Sequence, residues 1–372
     1  MSQQHNSIQV LITGGAGFIG SSLSQALITQ GLNGIVPNIT AVDNLHPQVH
    51  QTRSRPQSLP DQVELLVRDV CDALAWDDYF TSVRPDVVIH LAAETGTGQS
   101  LSQSARHTNV NVTGAAVLLD AMMRAGVQPS HLVLASSRAV YGEGSWQDAV
   151  DGRVFYPRYR TKRQLETGLF DIRTYDGRVA IPIPHDSVGT VALPNNVYGA
   201  TKLAQEHVFA AWANANSIPL SILRLQNVFG AGQSVYNSYT GVLTLFHRLA
   251  ADREAIEVYE DGHIGRDFIY INDVVTAFVA ALERPPAEMR IVDVGTGVAT
   301  TIHAAARLIA MAYGAPEPRV SGAFRHGDVR WAVCDPSQLA EQLGVIASID
   351  FARGTQLLAE WLFETGLLSG KV

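Results

Sequence analysis

The stretch VLITGGAGFIG, residues 10–20, carries the decision about the fold. IQVLITG reads as a buried strand, and a helix begins through SSLSQALITQ. Gly14, Gly17 and Gly20 fall between them at G-x-x-G-x-x-G spacing. Glycines at a strand-to-helix turn allow a tight bend. They also let backbone N–H groups approach a pyrophosphate at the helix N-terminus. The spacing differs by one residue from the commoner G-x-G-x-x-G pattern, so its position in the chain matters more than the triplet itself.

Outward from that loop the pattern repeats. NITAVDNL, VELLVRDV, PDVVIHLAA and HLVLASS read as four further strands, and NVTGAAVLLDAMMRAG as a helix before the last of them. Short β-branched runs alternating with helical segments imply right-handed βαβ units. The expected class is α/β, a Rossmann-type doubly wound parallel sheet with a smaller α+β C-terminal lobe. The expected division is a dinucleotide-binding domain over 7–230 and a mainly substrate-binding lobe over 231–372, with 266–285 returning to the first. Between about 143 and 194 the regular pattern lapses into charge, proline and short apolar pieces, which reads as an insertion. Beyond it, LSILRLQNVFG reads as one strand, GVLTLFHRLA as a helix, AIEVYED as a strand, and RDFIYINDVVTAFVAALER as a strand and helix. YEDGHIGRDF reads as a hairpin, and Asp273 as a cap for the helix after it.

Asp43 ends the second strand about 20 residues past the glycines. A carboxylate there accepts both ribose hydroxyls of an adenosine and repels a 2′-phosphate, so NAD is expected rather than NADP. Asp69 and Val70, after the third strand, are expected near the adenine. NNVYGATK places Tyr198 and Lys202 one helical turn apart on one face. Ser136 and Ser137 end the fifth strand, where ligands of doubly wound sheets bind. A phenol that takes a proton, a hydroxyl on the same oxygen and an ammonium that favours the phenolate are the parts for hydride chemistry on an alcohol.

Composition removes other classes. The net charge of −8 and the lack of a basic block argue against a general nucleic-acid binder. Two distant cysteines, Cys71 and Cys334, cannot form a multi-cysteine zinc site and do not make a disulfide framework. They fit a reducing compartment, and MSQQHNS lacks the apolar core of a signal peptide, so a cytoplasmic protein without membrane contact is expected.

Together, TGGAGFIG, Asp43, DV at 69–70, HLAA at 90–93, NVTG at 111–114, SSRAVYG, YGATK, LRLQNVFGAGQ, RDFIYINDVV and GDVRWAVCD resemble the extended short-chain dehydrogenase/reductase family, in its nucleotide-sugar epimerase/dehydratase branch. The resemblance spans nearly the whole chain. It implies that Ser137, Tyr198 and Lys202 are catalytic. It places Gly14, Gly17, Phe18, Ile19, Gly20, Asp43, Asn44, Asp69, Val70, Leu91, Ala92, Ala93 and Asn111 at NAD, with Tyr198 and Lys202. On the substrate side it sets Ser137, Arg138, Asn227, Gln233, Arg266 and Arg330, with the two last arginines at the diphosphate and nucleotide, and Tyr236 on the loop after Gln233; Thr95 and Thr97 read either as hydrogen bonds to the sugar or as helix caps.

In that family the dehydrating members carry an Asp-Glu pair directly after the catalytic hydroxyl residue. Here Arg138 and Ala139 stand there, which disfavours dehydration. The expectation is C4 epimerisation of a nucleotide-diphosphate sugar. A 4-keto-sugar reductase, a dehydratase and a non-catalytic NAD sensor remain alternatives. VDNLHPQVH, HLAAETGTGQS and the insertion resemble a subgroup related to dTDP-L-rhamnose 4-epimerases. Members of that subgroup often carry cysteine pairs in the insertion. Residues 143–194 contain none, so no metal is expected. Family habit implies a homodimer through a helical bundle that includes the helix of Tyr198.

Overall fold

Seven parallel strands make the central sheet. Their order is Met289–Val294, Leu220–Leu225, His131–Ser137, Val87–His90, Gln9–Thr13, Asn38–Asp43, Glu64–Val67. The computed structural model describes residues 7–50, 52–235 and 241–368. Chain order reverses at Gln9–Thr13: later strands add on one side up to Glu64–Val67, then on the other from Val87–His90. A crevice opens at such a switch point, at the carboxyl ends of the strands. The glycine loop and the loop after His90 both emerge there. Thr13 and His90 are register partners, and Thr13 Oγ1 lies 2.8 Å from His90 Nδ1, which pins the two strands at the mouth of the crevice.

Alternation along Gln9–Thr13 divides the core. Val10 and Ile12 face one side, against Leu23, Leu27, Val274 and Phe278 of helices Phe18–Gln30 and Ile271–Glu283. Leu11 faces the other, with Leu118, Met122 and Phe209 of helices Gly114–Ala125 and Val197–Ala215. Each such aliphatic side chain contributes about 1.5–3 kcal/mol by leaving water. A charge at Leu11, which is fully buried, would break the layer.

Three expectations need correction. The strand expected over 220–230 is two strands. Leu220–Leu225 stays in the central sheet, while Asn227–Phe229 leaves it to pair with Phe268–Tyr270 of the lobe. Gln226 is the joint, its N–H donating to the Val294 carbonyl at 3.0 Å. The expected hairpin is absent: Glu257–Val258 pairs with Arg319–Val320, and Gly265–Tyr270 with Ala299–Thr301 and Trp331–Ala332. Asp273 does not cap its helix. Its carboxylate accepts the Ser348 N–H at 3.1 Å and hydroxyl at 2.8 Å, and the Ile349 N–H at 3.1 Å, tying down the C-terminal segment. Helix Ile271–Glu283 packs on the same face of the central sheet as helix Phe18–Gln30, and strand Met289–Val294 completes the sheet's edge.

The insertion folds as three short antiparallel strands, Trp146–Gln147, Val154–Phe155 and Ile181–Pro182, with helix Lys162–Glu166. Its own core is Trp146, Ile172 and Ala180, too small to hold it alone. Buried ion pairs join it to the lobe. Arg160 meets Glu143 at 3.1 Å and Glu260 at 2.8 Å. Arg330 meets Glu260, Asp261 and Asp171 at 3.1, 2.6 and 2.7 Å. Among the described residues no group of three His, Cys, Asp or Glu side chains is arranged to hold a metal ion, and no helix is long and apolar enough to cross a membrane.

Candidate active site

Two neighbouring cavities, both lined by Gly14, Gly17, Leu91 and Ala93, open at the switch point. The smaller, about 160 Å³, lies over the second strand and is lined by Gly14, Asp43, Asn44, Val70, Ala92 and their neighbours. The larger, about 860 Å³, runs from the glycine loop between the sheet and the lobe.

The two cavities together suit a dinucleotide, with the smaller at Asp43 and the larger at the start of helix Phe18–Gln30. Gly14 has φ +66°, and a Cβ on it would come within 2.8 Å of the Ala92 nitrogen. Helix Phe18–Gln30 starts after Gly17 with no side-chain cap, so its first N–H groups are free for phosphate oxygens. Asp43 accepts the Ala16 N–H at 3.2 Å and the Leu45 N–H at 2.9 Å, leaving acceptor capacity for ribose hydroxyls. These features fit NAD. Gly14, Gly17, Phe18, Ile19, Gly20, Asp43, Asn44, Val70, Leu91, Ala92 and Ala93 all line one cavity or the other.

Asp69 and Asn111 line neither. Asp69 accepts the Asn44 side-chain amide at 3.1 Å and the Cys71 N–H at 2.9 Å, so it shapes the turn. Asn111 is fully buried in the π-helical turn Asn109–Thr113. It accepts the Glu94 N–H at 2.7 Å, and its amide donates to the Glu94 carbonyl at 3.0 Å and to Thr201 Oγ1 at 2.9 Å. It fastens the loop after the fourth strand to the helix of Tyr198. Sequence reasoning missed His46, His50, Arg68 and Arg106 along this cavity. His50 Nε2 sits 3.5 Å from Asp43. No spacing rule points to these residues.

The reaction centre is built by two elements. Strand His131–Ser137 ends in the 3-10 turn Arg138–Tyr141, and Ser137 Oγ accepts the Ala139 N–H at 3.1 Å. Helix Val197–Ala215 starts at the Asn196 cap, whose side chain accepts the Gly199 N–H at 2.8 Å. The turn rests on the helix: a methyl on Gly199 would collide with the Ala139 carbonyl oxygen. Ser137, Arg138 and Tyr198 therefore line the same wall of the larger cleft. Burial pushes the Tyr198 phenol up, while the Ser137 hydroxyl and the Arg138 guanidinium act to hold it down. The sequence also assigns that role to Lys202. It is buried one turn further on, its Nζ donates to Gln205 Oε1, and it does not line the cleft. Burial brings its ammonium down to about 7 against the pull of Glu206.

Beneath Ser137 a buried chain of polar groups locks strand to helix. Ser136 Oγ donates to Glu206, Arg224 binds Glu206 at 3.0 and 2.7 Å, and Arg224 reaches the Tyr141 hydroxyl at 2.9 Å. Tyr141 donates to Asp293 at 2.8 Å.

Further along the cleft, Thr95, Thr97, Asn227, Gln233 and Arg266 all line its walls. Thr97 donates to Asp328 at 3.4 Å. Asn227 Oδ1 and both amide atoms of Gln226 are buried without partners, which marks hydrogen-bonding capacity kept for a ligand. Arg266 donates to the Gly265 and Val329 carbonyls at 2.8 and 2.9 Å. Arg330 is not at the cleft, because its guanidinium is committed to Glu260, Asp261 and Asp171. The missed cation is Arg325, exposed and lining the cleft, with its guanidinium 5.0 Å from the Tyr259 ring centroid. Its signal was a basic residue on the glycine-flanked loop GAFRHG. Tyr236 lies outside the described residues.

The profile of the NAD dependent epimerase/dehydratase family matches residues 10–161 and 175–295, and the unmatched 162–174 falls inside the insertion. The chain is 49% identical over 354 residues to the dTDP-L-rhamnose 4-epimerase of Burkholderia thailandensis, which covers 95% of this chain and 94% of that protein. It is 27% identical to the UDP-glucose 4-epimerase of Mycolicibacterium smegmatis, over 95% and 98% of the two chains. The structure of the Thermus thermophilus UDP-glucose 4-epimerase in complex with NAD is similar with a TM-score of 0.73 at 26% identity, covering 96% of this chain and 99% of that one. The Thermotoga maritima UDP-glucose 4-epimerase with UDP-glucose is similar with a TM-score of 0.74 at 26% identity, over 96% and 99%.

Proposed function

The chain belongs to the NAD dependent epimerase/dehydratase family, and from that premise we propose that it inverts C4 of a dTDP-6-deoxyhexose, of which dTDP-L-rhamnose is the first to try. It is an NAD-dependent nucleotide-sugar 4-epimerase. The observation that carries the proposal is the wall on which Ser137 and Tyr198 meet, followed by Arg138 and Ala139 where an eliminating enzyme needs an acid. The likeness to the Burkholderia thailandensis protein supports the choice of sugar. The lobe's wall of the cleft, with Leu243, Phe246, Leu249 and Phe268, is apolar enough to receive a thymine methyl.

Bound NAD supplies a hydride acceptor that returns what it takes. Asp43 would hold the adenosine ribose, and the free N–H groups at Phe18 and Ile19 the pyrophosphate. Tyr198 takes the proton of the C4 hydroxyl, and Ser137 hydrogen-bonds the same oxygen. The 4-keto ring then turns in the cleft, and Tyr198 gives the proton back with the ring's other face presented. No proton or electron is lost over the cycle. Arg266 and Arg325 bind the diphosphate.

The test is a proton NMR time course on purified protein with dTDP-L-rhamnose, its C4 epimer and a small panel of UDP-sugars, without added reductant. The expected result is a changed H4 coupling pattern that reaches one mixture from either isomer. Accumulation of a 4-keto sugar, or consumption of added NADH, would overturn it.

Two further readings belong here. A homodimer would pair the helices Gly114–Ala125 and Val197–Ala215 with their copies. Met123 and Leu101 stand about half exposed near them, and light scattering that finds a monomer would reject the pairing. A cytoplasmic location fits the two free thiols and is checked by cell fractionation.

A further inference from the structure

The insertion separates the two halves of the reaction centre. It begins where the turn Arg138–Tyr141 ends and finishes where the Asn196 cap opens the helix of Tyr198. A connection that long inside a compact domain calls for a function. Its contacts run to the turn. Gly142 has φ +60°, and a Cβ there would collide with the Leu193 carbonyl oxygen, so the chain enters and leaves the insertion side by side. Gly144 donates its N–H to the Tyr141 carbonyl at 3.0 Å. His185, near the far end, stacks on the ring of Tyr141, with centroids 4.7 Å apart and planes 25° from parallel. The turn itself moves as a unit: Ser137 Oγ accepts the Ala139 N–H at 3.1 Å, and the Gly142 N–H donates to the Ala139 carbonyl at 3.3 Å.

Tyr141 is fully buried, and its hydroxyl is held by Arg224 at 2.9 Å and by Asp293 at 2.8 Å. Those bonds fix the tip of the side chain, and His185 covers a face of the ring. His185 is in turn fixed to the lobe. Its N–H donates to the Val333 carbonyl at 2.9 Å, and its own carbonyl accepts the Asp335 N–H at 2.8 Å. The imidazole is buried and its Nε2 has no partner, so packing of the ring is what this position supplies. Arg160 anchors the middle of the insertion, reaching Glu143 at 3.1 Å, Glu260 at 2.8 Å and the Asp328 carbonyl at 2.7 Å. The insertion is thus borne by the lobe and rests on the turn.

We propose that the insertion is a brace for the catalytic turn, with His185 as the positioning residue. Its ring holds Tyr141, and through Tyr141 it keeps the turn and the Ser137 hydroxyl in place against Tyr198. The catalytic part of this rests on Ser137 and Tyr198 being the reacting pair, as set out under Proposed function. No further group enters the chemistry.

The experiment compares wild type, His185→Ala and His185→Phe, all loaded with NAD. Hydrogen exchange followed by mass spectrometry reads the turn without any substrate. In His185→Ala the segment 137–144 exchanges about tenfold faster or more, while the core strand Gln9–Thr13 keeps its wild-type rate. His185→Phe, which keeps a ring and discards the nitrogens, restores the slow exchange. Kinetics use dTDP-L-rhamnose, or whichever sugar nucleotide the NMR panel shows to be turned over. Per NAD-loaded molecule, kcat of His185→Ala falls about fivefold or more, KM stays within about threefold, and His185→Phe recovers the loss. Unchanged exchange over 137–144 overturns the proposal. So does faster exchange with a smaller fall in kcat, since the turn then needs no brace for catalysis. A raised KM at unchanged kcat makes His185 a substrate contact instead, and a His185→Phe variant as slow as His185→Ala assigns the role to an imidazole nitrogen; either overturns it. Tyr198→Phe is the separate control. If it still turns over, the base lies elsewhere and the mechanism fails, while the exchange rates still decide whether the turn is braced.

Discussion

Arg325 and Arg330 stand five residues apart on one loop and have opposite surroundings. Arg330 is 5% exposed and bound to three carboxylates, one of which, Glu260, is 1% exposed. Arg325 is exposed and faces the cleft. Arg330→Met should therefore cost about 3–5 kcal/mol of stability, because it strands buried charge. It should show as a lower denaturant midpoint, with KM in the folded fraction little changed. Arg325→Met should leave the midpoint alone and raise KM about tenfold, the loss of one charge-assisted hydrogen bond to phosphate. The reverse pattern would return Arg330 to the substrate. GDVRW resembled a diphosphate-binding stretch, and nothing local contradicted it. What withdraws Arg330 comes from Asp171, Glu260 and Asp261, two other regions of the chain. Tyr198 was legible because its requirement is local: a cap, a helix and a one-turn spacing. The packing of the Arg138–Tyr141 turn on that helix was not, because it joins residues some sixty positions apart.

At the scale of elements, what the sequence displays is periodicity, and what it hides is where one element rests on another. The strands of the dinucleotide half were readable as apolar runs ending in Asp43, His90 and Ser137. The break at Gln226 was not, since LSILRLQNVFG is one unbroken strand-like run and only the lobe's demand for a partner at Phe268 divides it. The insertion was readable as a lapse in pattern, while its attachment through Arg160 to Glu143 and Glu260 was not. The contact of the 3-10 turn with helix Val197–Ala215 is the one on which chemistry depends most. Gly199 leaves no room above the Ala139 carbonyl. Gly199→Ala should push the helix start away and separate Tyr198 from Ser137. A shift near 1 Å costs about a hundredfold in kcat. Far-ultraviolet circular dichroism and bound NAD should stay near wild type. Wild-type kcat in this variant would mean that the contact does not set the catalytic geometry.

For the whole molecule, the buried titratable groups fix how stability changes with pH. His90, His131, His185 and His247 are buried, and burial brings them down to about 3, 4, 3 and 4. Each also keeps one ring nitrogen without a partner, so a proton there would find no acceptor. The unfolded chain protonates them near 6.5. Their contribution is complete above that value and is lost as the pH falls towards 4 and 3. Lys202 acts in the same sense at higher pH. Its ammonium is brought from 10.5 down to about 7, so its share is complete above 10.5 and shrinks as the pH falls to 7. Asp293 opposes them. Burial lifts its carboxyl from 3.8 to about 7, so its share is complete below 3.8 and is lost as the pH rises through 7. Below about pH 6.5 these four histidines and His46, which is also lowered, lose stability on acidification against two carboxyls that burial raises, Asp293 and Glu143, and the histidines decide the sign. The Tm of the NAD-saturated protein should therefore be lower at about pH 5 than at about pH 8, at constant ionic strength. Calorimetry should also find net proton uptake on unfolding at the lower pH. A Tm that holds or rises on acidification would mean that these histidines are hydrated or paired in the folded protein.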